Sequence, residues 1–263
     1  MPDSDLALLI AASQTAGAIA MRHFRRDVAV EKKADDSPVT EADLASNAFL
    51  ERRLRGARPD YGWLSEESPD DTDRLARKRV FVVDPIDGTR AFIAGGASWG
   101  VALAVVEDGQ AHAGVFHMPV QDKTYWATVG GGAWLNGHPL RTGTRAELSG
   151  AQVLATKAGL ASDNWDTPLP PVAIHYRPSL VLRLCLVAEG RFDATITLRD
   201  SADWDIAAGA LMCLEAGARV TDRAGGPVVL NRERPCTAGL FAANSTLHSE
   251  FCRHAVREPR AAV

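Results

Sequence analysis

The sequence predicts a mixed α/β fold, with an α+β half built on an antiparallel sheet followed by an α/β half. Three observations carry this. Two stretches of helical periodicity open the chain, short β runs separated by turn dipeptides fill its middle, and strands alternate with helices beyond about residue 147. The division falls between 1–146 and 147–263. With 263 residues the chain is about twice a typical domain, enough for one large unit or two intimately packed halves.

The first helix is predicted from Asp5 to Phe24, where Leu6, Leu9, Ile10, Ala16, Ala20, Met21 and Phe24 recur at helical spacing and Ser4 or Asp5 can cap. A polar break at 32–38 precedes a second helix from about Glu41 to Leu54, which ends near Gly56 and Pro59. The pattern then turns to β runs at Val80–Val83, Gly100–Val106, Ala113–Phe116 and Thr124–Ala127. Asp108-Gly109 and Asn136-Gly137 suit tight hairpin turns, since both residues of each pair tolerate positive φ. Gly130-Gly131-Gly132 lacks the Lys-Ser/Thr of a phosphate loop and precedes the strand Ala133–Leu135, so it reads as a hairpin. Beyond Glu147 come Leu180–Ala188, Asp193–Leu198, Ile206–Ala216 and Arg219–Thr221 as alternating elements. Trp165 to Pro171 is a Pro-rich loop and a place for substrate-specific structure, while the tail from Arg253 has little periodicity and is expected to fray.

Composition narrows the function. A formal charge of −4 with scattered Lys and Arg gives no footprint for a nucleic acid polymer. No apolar run approaches the ~18 residues of a membrane span, and Met1–Asp5 lacks the basic start of a secretory signal, so a cytoplasmic protein is expected. Cys185, Cys213, Cys236 and Cys252 have no metal-site spacing and are expected to be buried thiols. There is no H-E-x-x-H and no G-x-S-x-G, which leaves covalent catalysis without a candidate.

The acids are more informative. Asp84-Pro85-Ile86-Asp87-Gly88-Thr89 follows the apolar run Val80–Val83, and Pro85 is expected to end ladder pairing and turn the chain. The Asp84 and Asp87 carboxylates and the Ile86 carbonyl would then converge as hard oxygen ligands, which suit Mg²⁺ or Mn²⁺ better than zinc. The amides of Gly88 and Thr89 would open a short helix, where unpaired N–H groups favour phosphate. Asp87-Gly88 alone is equally a turn, and Glu66-Glu67 alone is an ordinary solvated pair. Asp205 falls in the first turn of a small, apolar helix, where an acid also complements the dipole. Thr40 and Asp43 have the spacing of a capping box, so Asp43 reads first as a helix cap.

Together and in this order, these segments closely resemble the inositol monophosphatase superfamily. Its signatures stand here as Asp84-Pro85-Ile86-Asp87-Gly88-Thr89 and Trp204-Asp205-Ile206-Ala207-Ala208-Gly209, with Ser37 to Asp43 and Glu66-Glu67 upstream. The resemblance implies a layered αβαβα sugar-phosphatase fold, a homodimer and inhibition by lithium. It also implies a Mg²⁺-dependent phosphomonoesterase acting on a small phosphorylated metabolite, with two or three Mg²⁺ ions held by Glu66, Asp84, the Ile86 carbonyl, Asp87 and Asp205, and Mn²⁺ as a possible substitute. Asp43, Thr89 and Glu66 would be catalytic, Thr89 with Asp43 orienting the attacking water, and Gly88 and Thr89 would hold the phosphate.

Within the superfamily, Leu182 to Asp193 and Lys33 to Pro38 look most like bacterial 3′(2′),5′-bisphosphate nucleotidases, which convert adenosine 3′,5′-bisphosphate to AMP and phosphate. Arg90-Ala91-Phe92-Ile93 with Trp99-Gly100 is closer to histidinol-phosphate phosphatases, and inositol 1-phosphate is a further alternative. Ser179, Arg183 and Asp203 are expected near the leaving group, and Asp205 is expected to contact substrate as well as metal. The reading from another class is a non-catalytic phosphometabolite-binding protein, against which Thr89 and Asp43 speak.

Overall fold

In a computed structural model that describes residues 4–26, 30–32 and 38–254, the opening helices are α1 (Asp5–Met21) and α2 (Glu41–Ala57). The expectations for residues 33–37 and 255–263 lie outside the described residues. Ser4 caps α1 by accepting from the Ala7 amide at 3.2 Å. Helix α2 starts with a full capping box between Thr40 and Asp43.

The first sheet has seven strands in sequential order: β1 (Gly62–Ser65), β2 (Arg79–Asp87), β3 (Gly100–Glu107), β4 (Gln110–Met118), β5 (Lys123–Thr128), β6 (Gly132–Leu135) and β7 (His138–Pro139). Only β1 and β2 run parallel; every other pair is antiparallel. Asp108-Gly109 and Asn136-Gly137 form the expected turns, with φ of 51° and 78°, and 48° and 83°. The glycine hairpin between β5 and β6 is held by the Glu215 carboxylate, which accepts from Gly130 N and Gly132 N, each at 2.9 Å.

At Pro85 the chain does not leave the sheet, contrary to expectation. Asp84 pairs with Ala102 and Asp87 with Gly100, so β2 continues through a register shift that gives it one extra residue. Pro85 has no amide to donate, and the bulge spares it that role.

After the helix α3 (Thr89–Ile93) and the first sheet, the second sheet is mixed: β8 (Gln152–Leu154), β9 (Ala173–His175), β10 (Ala194–Thr197), β11 (Ala218–Thr221) and β12 (Leu240–Asn244), in the order β9-β8-β10-β12-β11. Helices α4 (Leu180–Ala188) and α5 (Asp203–Glu215) lie between the sheets, while α6 (Ser245–Arg253) packs against β11 and β12. The layers therefore run α1 and α2, first sheet, α4 and α5, second sheet, α6. Alternate residues of β2 separate the cores: Val80 and Val82 face α4 and α5, whereas Phe81 and Val83 face α1 and α2.

Small residues make the middle layer thin. A Cβ on Gly209 would come within 2.7 Å of Leu184 Cβ, and one on Gly114 within 3.1 Å of Ala208 Cα. Thus Ala207-Ala208-Gly209-Ala210 allows α5 to fit between α4 and the first sheet. The cysteines are free; Cys185 and Cys213 are buried as expected, but Cys236 is half-buried and Cys252 exposed.

Candidate active site

The bulge in β2 delivers two buried carboxylates to one place. Asp84 Oδ1 accepts from its own loop at Ile86 N, 2.9 Å away, and Asp84 Oδ2 is buried with no hydrogen-bond partner. Asp87 Oδ2 accepts from Ser179 Oγ at 2.5 Å and from Val181 N at 2.9 Å. Helix α5 brings Asp205, and carboxylate oxygens of Asp84, Asp87 and Asp205 lie within 4.8 Å of one another. Glu66 follows β1, its amide donating to Val83 O at 3.1 Å, next to Asp84.

Thr89 opens α3. Its Oγ1 lies 3.1 Å from the Ile86 carbonyl and 3.4 Å from Asp43 Oδ1, either of which can accept its proton. Asp43 Oδ2 meanwhile accepts from Thr40 N at 2.9 Å and Thr40 Oγ1 at 2.6 Å. One carboxylate therefore both caps α2 and faces the site. Gly88 holds φ at 97°, and a Cβ there would come 2.8 Å from Ser98 O, so only glycine joins β2 to α3 in this way.

Burial pushes the Asp84 carboxyl well above its usual range, and the charges of Glu66, Asp87, Asp205 and Asp43 push it further. Burial likewise raises Asp87 to about 7, opposed by the Ser179 and Val181 hydrogen bonds and by the positive charge of Arg183. So much negative charge in so small a buried space is unfavourable by itself. An all-oxygen donor set with one orphaned carboxylate oxygen fits a hard divalent cation.

These residues open on a cavity of about 990 Å³. Glu66, Asp84, Ile86, Asp87, Gly88, Thr89 and Asp205 line it, as do Asn164, Tyr176, Arg183, Arg199 and Trp204. Arg183 is buried, its Nε donating to Arg177 O at 2.5 Å and its guanidinium lying 4.8 Å from the Tyr176 ring centroid. Ser179 and Asp203 do not line the cavity. Ser179 is the buried cap of α4, accepting from Leu182 N at 2.9 Å, and Asp203 is buried with Oδ2 accepting from Asn231 N at 2.6 Å. Ser179 stands behind the cavity-lining Asp87, and Asp203 is tied to the 231–235 loop.

The Pro-rich loop also departs from expectation. Trp165 is buried and stacked on Phe241 at 5.8 Å, and Pro168 and Pro170 line a separate shallow depression. The preceding segment supplies the cavity wall instead, through Thr156, Ala158, Gly159 and Asn164. Tyr176, Arg199 and Asn164 carried no local signal, since an isolated polar or aromatic residue in a loop has no periodicity to mark its direction.

A model of the inositol monophosphatase family matches residues 1–260. Among curated relatives, a Streptomyces griseus protein named glucose-1-phosphate thymidylyltransferase is 36% identical over 230 residues, 85% of this chain and 88% of that one. The inositol-1-monophosphatase of Rhizobium meliloti is 32% identical over 244 residues, 89% of this chain and 88% of that one. A histidinol-phosphatase of Chlorobaculum parvum is 32% identical over 252 residues, with coverage of 94% and 93%. A 3′(2′),5′-bisphosphate nucleotidase of Salmonella typhimurium is 33% identical over 194 residues, with coverage of 73% and 78%. The solved IMPase of Thermotoga maritima has a TM-score of 0.81 at 28% identity, covering 94% of this chain and 95% of that one. By a family match along nearly its whole length, and by relatives of comparable length, the chain belongs to the inositol monophosphatase family.

Proposed function

We propose that the chain is a Mg²⁺-dependent phosphomonoesterase that converts adenosine 3′,5′-bisphosphate to AMP and phosphate. Its family makes it a hydrolase of phosphoric monoesters; the choice of metal, the site roles and the nucleotide are the proposal. The observation that carries the chemistry is the acidic cluster, with the Thr89–Asp43 contact at its edge, opening on one cavity. Glu66, Asp84, the Ile86 carbonyl, Asp87 and Asp205 would hold two or three Mg²⁺ ions, with Mn²⁺ able to substitute. When bound there, such cations would supply positive charge against the phosphoryl oxygens and would make a water easier to deprotonate.

The chain's own residues do the positioning. Thr89 Oγ1, between Asp43 and the Ile86 carbonyl, orients the attacking water, and Glu66 shares in its activation. The opening amides of α3, at Gly88 and Thr89, have no partners within the helix and are free to donate to the phosphate. Ser179 fixes Asp87, and Asp203 fixes the start of α5.

For the nucleotide, the support is the rest of the cavity wall. Tyr176, 53% exposed, lines the cavity and offers a face to a base, and Trp204 lines the same cavity. Arg183 and Arg199 offer guanidinium groups to a second phosphate. Phosphate release with Mg²⁺ from adenosine 3′,5′-bisphosphate, inositol 1-phosphate and histidinol phosphate tests this choice. A kcat/KM about tenfold higher for either of the last two would overturn it. Pyrophosphate formed from glucose 1-phosphate and a thymidine triphosphate would instead favour the transfer named for the Streptomyces relative. Binding without turnover, unchanged in Asp87→Asn, would favour a phosphometabolite-binding protein. The same reading carries lithium inhibition and a homodimer, the latter checked by sedimentation.

A further inference from the structure

Arg74 has no solvent-exposed side-chain surface, although it lies in a short helical turn, residues Thr72–Ala76, beyond the segment that carries Glu66. A buried guanidinium is costly unless its donors are met. Here they are met from two parts of the chain. Nε and Nη2 grip the Asp70 carboxylate side-on at 2.6 and 2.8 Å, which closes the segment following Glu66. Nη1 donates to Asn231 Oδ1 at 2.6 Å, 157 residues along the chain, and Nη2 reaches the carbonyls of Arg232 and Glu233 at 3.1 and 3.3 Å.

The far end of this clamp leads to α5. Asn231 adopts a left-handed backbone, with φ of 56°, and its amide donates to Asp203 Oδ2 at 2.6 Å. Asp203 is the first residue of α5, and its amide donates to Pro235 O at 3.0 Å in the same loop. Asp205 follows on the first turn. At the near end, Arg74 presses on β1: a Cβ on Gly62 would lie 3.0 Å from both Arg74 Cα and Arg74 Cβ. Strand β1 then leads directly to Glu66. Neither Arg74 nor Asn231 lines the cavity.

We propose that Arg74, with Asn231, is a positioning device that holds the Glu66 segment against the start of α5 and so sets the spacing of Glu66 and Asp205 around the cations. This rests on the metal-site reading above. Arg74 does not touch substrate; it acts through the two segments that bear carboxylates, as outer-shell partners of metal ligands do.

Three variants of the full chain test it. Arg74→Lys keeps the charge but loses the fork, Asn231→Gly keeps the left-handed backbone but drops the acceptor, and Arg58→Met breaks an ion pair to Asp5 at another place. Mn²⁺ binding to the metal-stripped proteins is read by electron paramagnetic resonance, with near-ultraviolet circular dichroism to verify the fold. Arg74→Lys and Asn231→Gly are expected to bind Mn²⁺ about tenfold more weakly or worse. Both should also need proportionately more Mg²⁺ for half-maximal turnover, with kcat at saturating Mg²⁺ within about threefold of the unmutated protein. Arg58→Met should keep its Mn²⁺ affinity. If Arg74→Lys does not fold, Asn231→Gly decides. Mn²⁺ affinity in folded Asn231→Gly within about twofold of the unmutated protein overturns the proposal, and so does an equal loss in Arg58→Met. An unmutated protein that binds no Mn²⁺ sinks the metal-site reading, and this proposal with it, by a distinguishable result.

Discussion

Asp87 Oδ2 takes two hydrogen bonds from the start of α4, and these partly offset the burial that drives its pKa to about 7. A carboxyl whose folded pKa lies above its unfolded value of 3.8 stabilises the fold fully below that value. The contribution is lost as pH rises through about 7. The buried imidazole of His248, pushed down to about 4, tilts stability the other way. The measurement is therefore a difference against the unmutated protein, which removes His248 and reports Asp87 together with its charge coupling to Asp84. In metal-free buffer, Asp87→Asn should gain at least about 2 °C in Tm relative to the unmutated protein between pH 5 and pH 8. A difference that is flat or shrinks over that window contradicts the assignment. For turnover, Thr89→Ala should lower kcat by about a hundredfold, and Thr89→Ser should retain most of it, because the hydroxyl and not the methyl faces Asp43. Steady-state phosphate release with saturating Mg²⁺ checks both variants. At this scale each acid alone read as well as a turn, a solvated pair, a dipole partner or a cap; their order along the chain and the family it resembles pointed to one site, and the fold gathers Asp84, Asp87 and Asp205. The directions of Ser179 and Asp203 were not legible, because a side chain at a helix start turns toward whatever tertiary neighbour meets it: Asp87 for one, Asn231 for the other.

Elements explain why two acids separated by Pro85 and Ile86 share one space. The bulge in β2 keeps Asp84 and Asp87 within the sheet, and the left-handed Gly88 then starts α3 at once. Local sequence marked the strand, the turn residues and the helix start, but a proline in a β run reads equally as an ending and as a bulge. Which of these occurs depends on β3, whose Gly100 pairs with Asp87. The Thr40–Asp43 capping box shows a similar limit: its spacing was legible, whereas the contact with Thr89 depended on bringing α2 beside α3. Helices α4 and α5 meet at Gly209, directly over Leu184. Gly209→Ala should cost about 1–3 kcal/mol by overpacking this contact, and a lower midpoint in chemical denaturation is the reading. An unchanged midpoint would mean that α4 and α5 separate freely, and the thin middle layer would lose its explanation.

Across the whole molecule, α5 belongs to the second half of the chain yet packs against strands of the first sheet. One hydrophobic core accordingly includes Val80 and Val82 of β2, Leu184 of α4, Leu211 of α5 and Ala242 of β12. We therefore propose that the halves 1–146 and 147–263, although distinct in pattern, unfold together. Calorimetry should give one transition whose calorimetric and van't Hoff enthalpies agree; two separated transitions would show independent halves. Among the described residues no helix is long and apolar enough to cross a membrane. By itself the sequence determined the mixed fold, the hairpin turns, the identity of the acids and the family they resemble, because periodicity, turn chemistry and ligand type are local properties of residues. Only the tertiary structure decided the direction of Ser179 and Asp203, the passage of β2 through Pro85, the place of Tyr176, Arg199 and Asn164 in the cavity wall and the clamp at Arg74. Each of those depends on which distant segments share a surface, and that follows from how the layers pack.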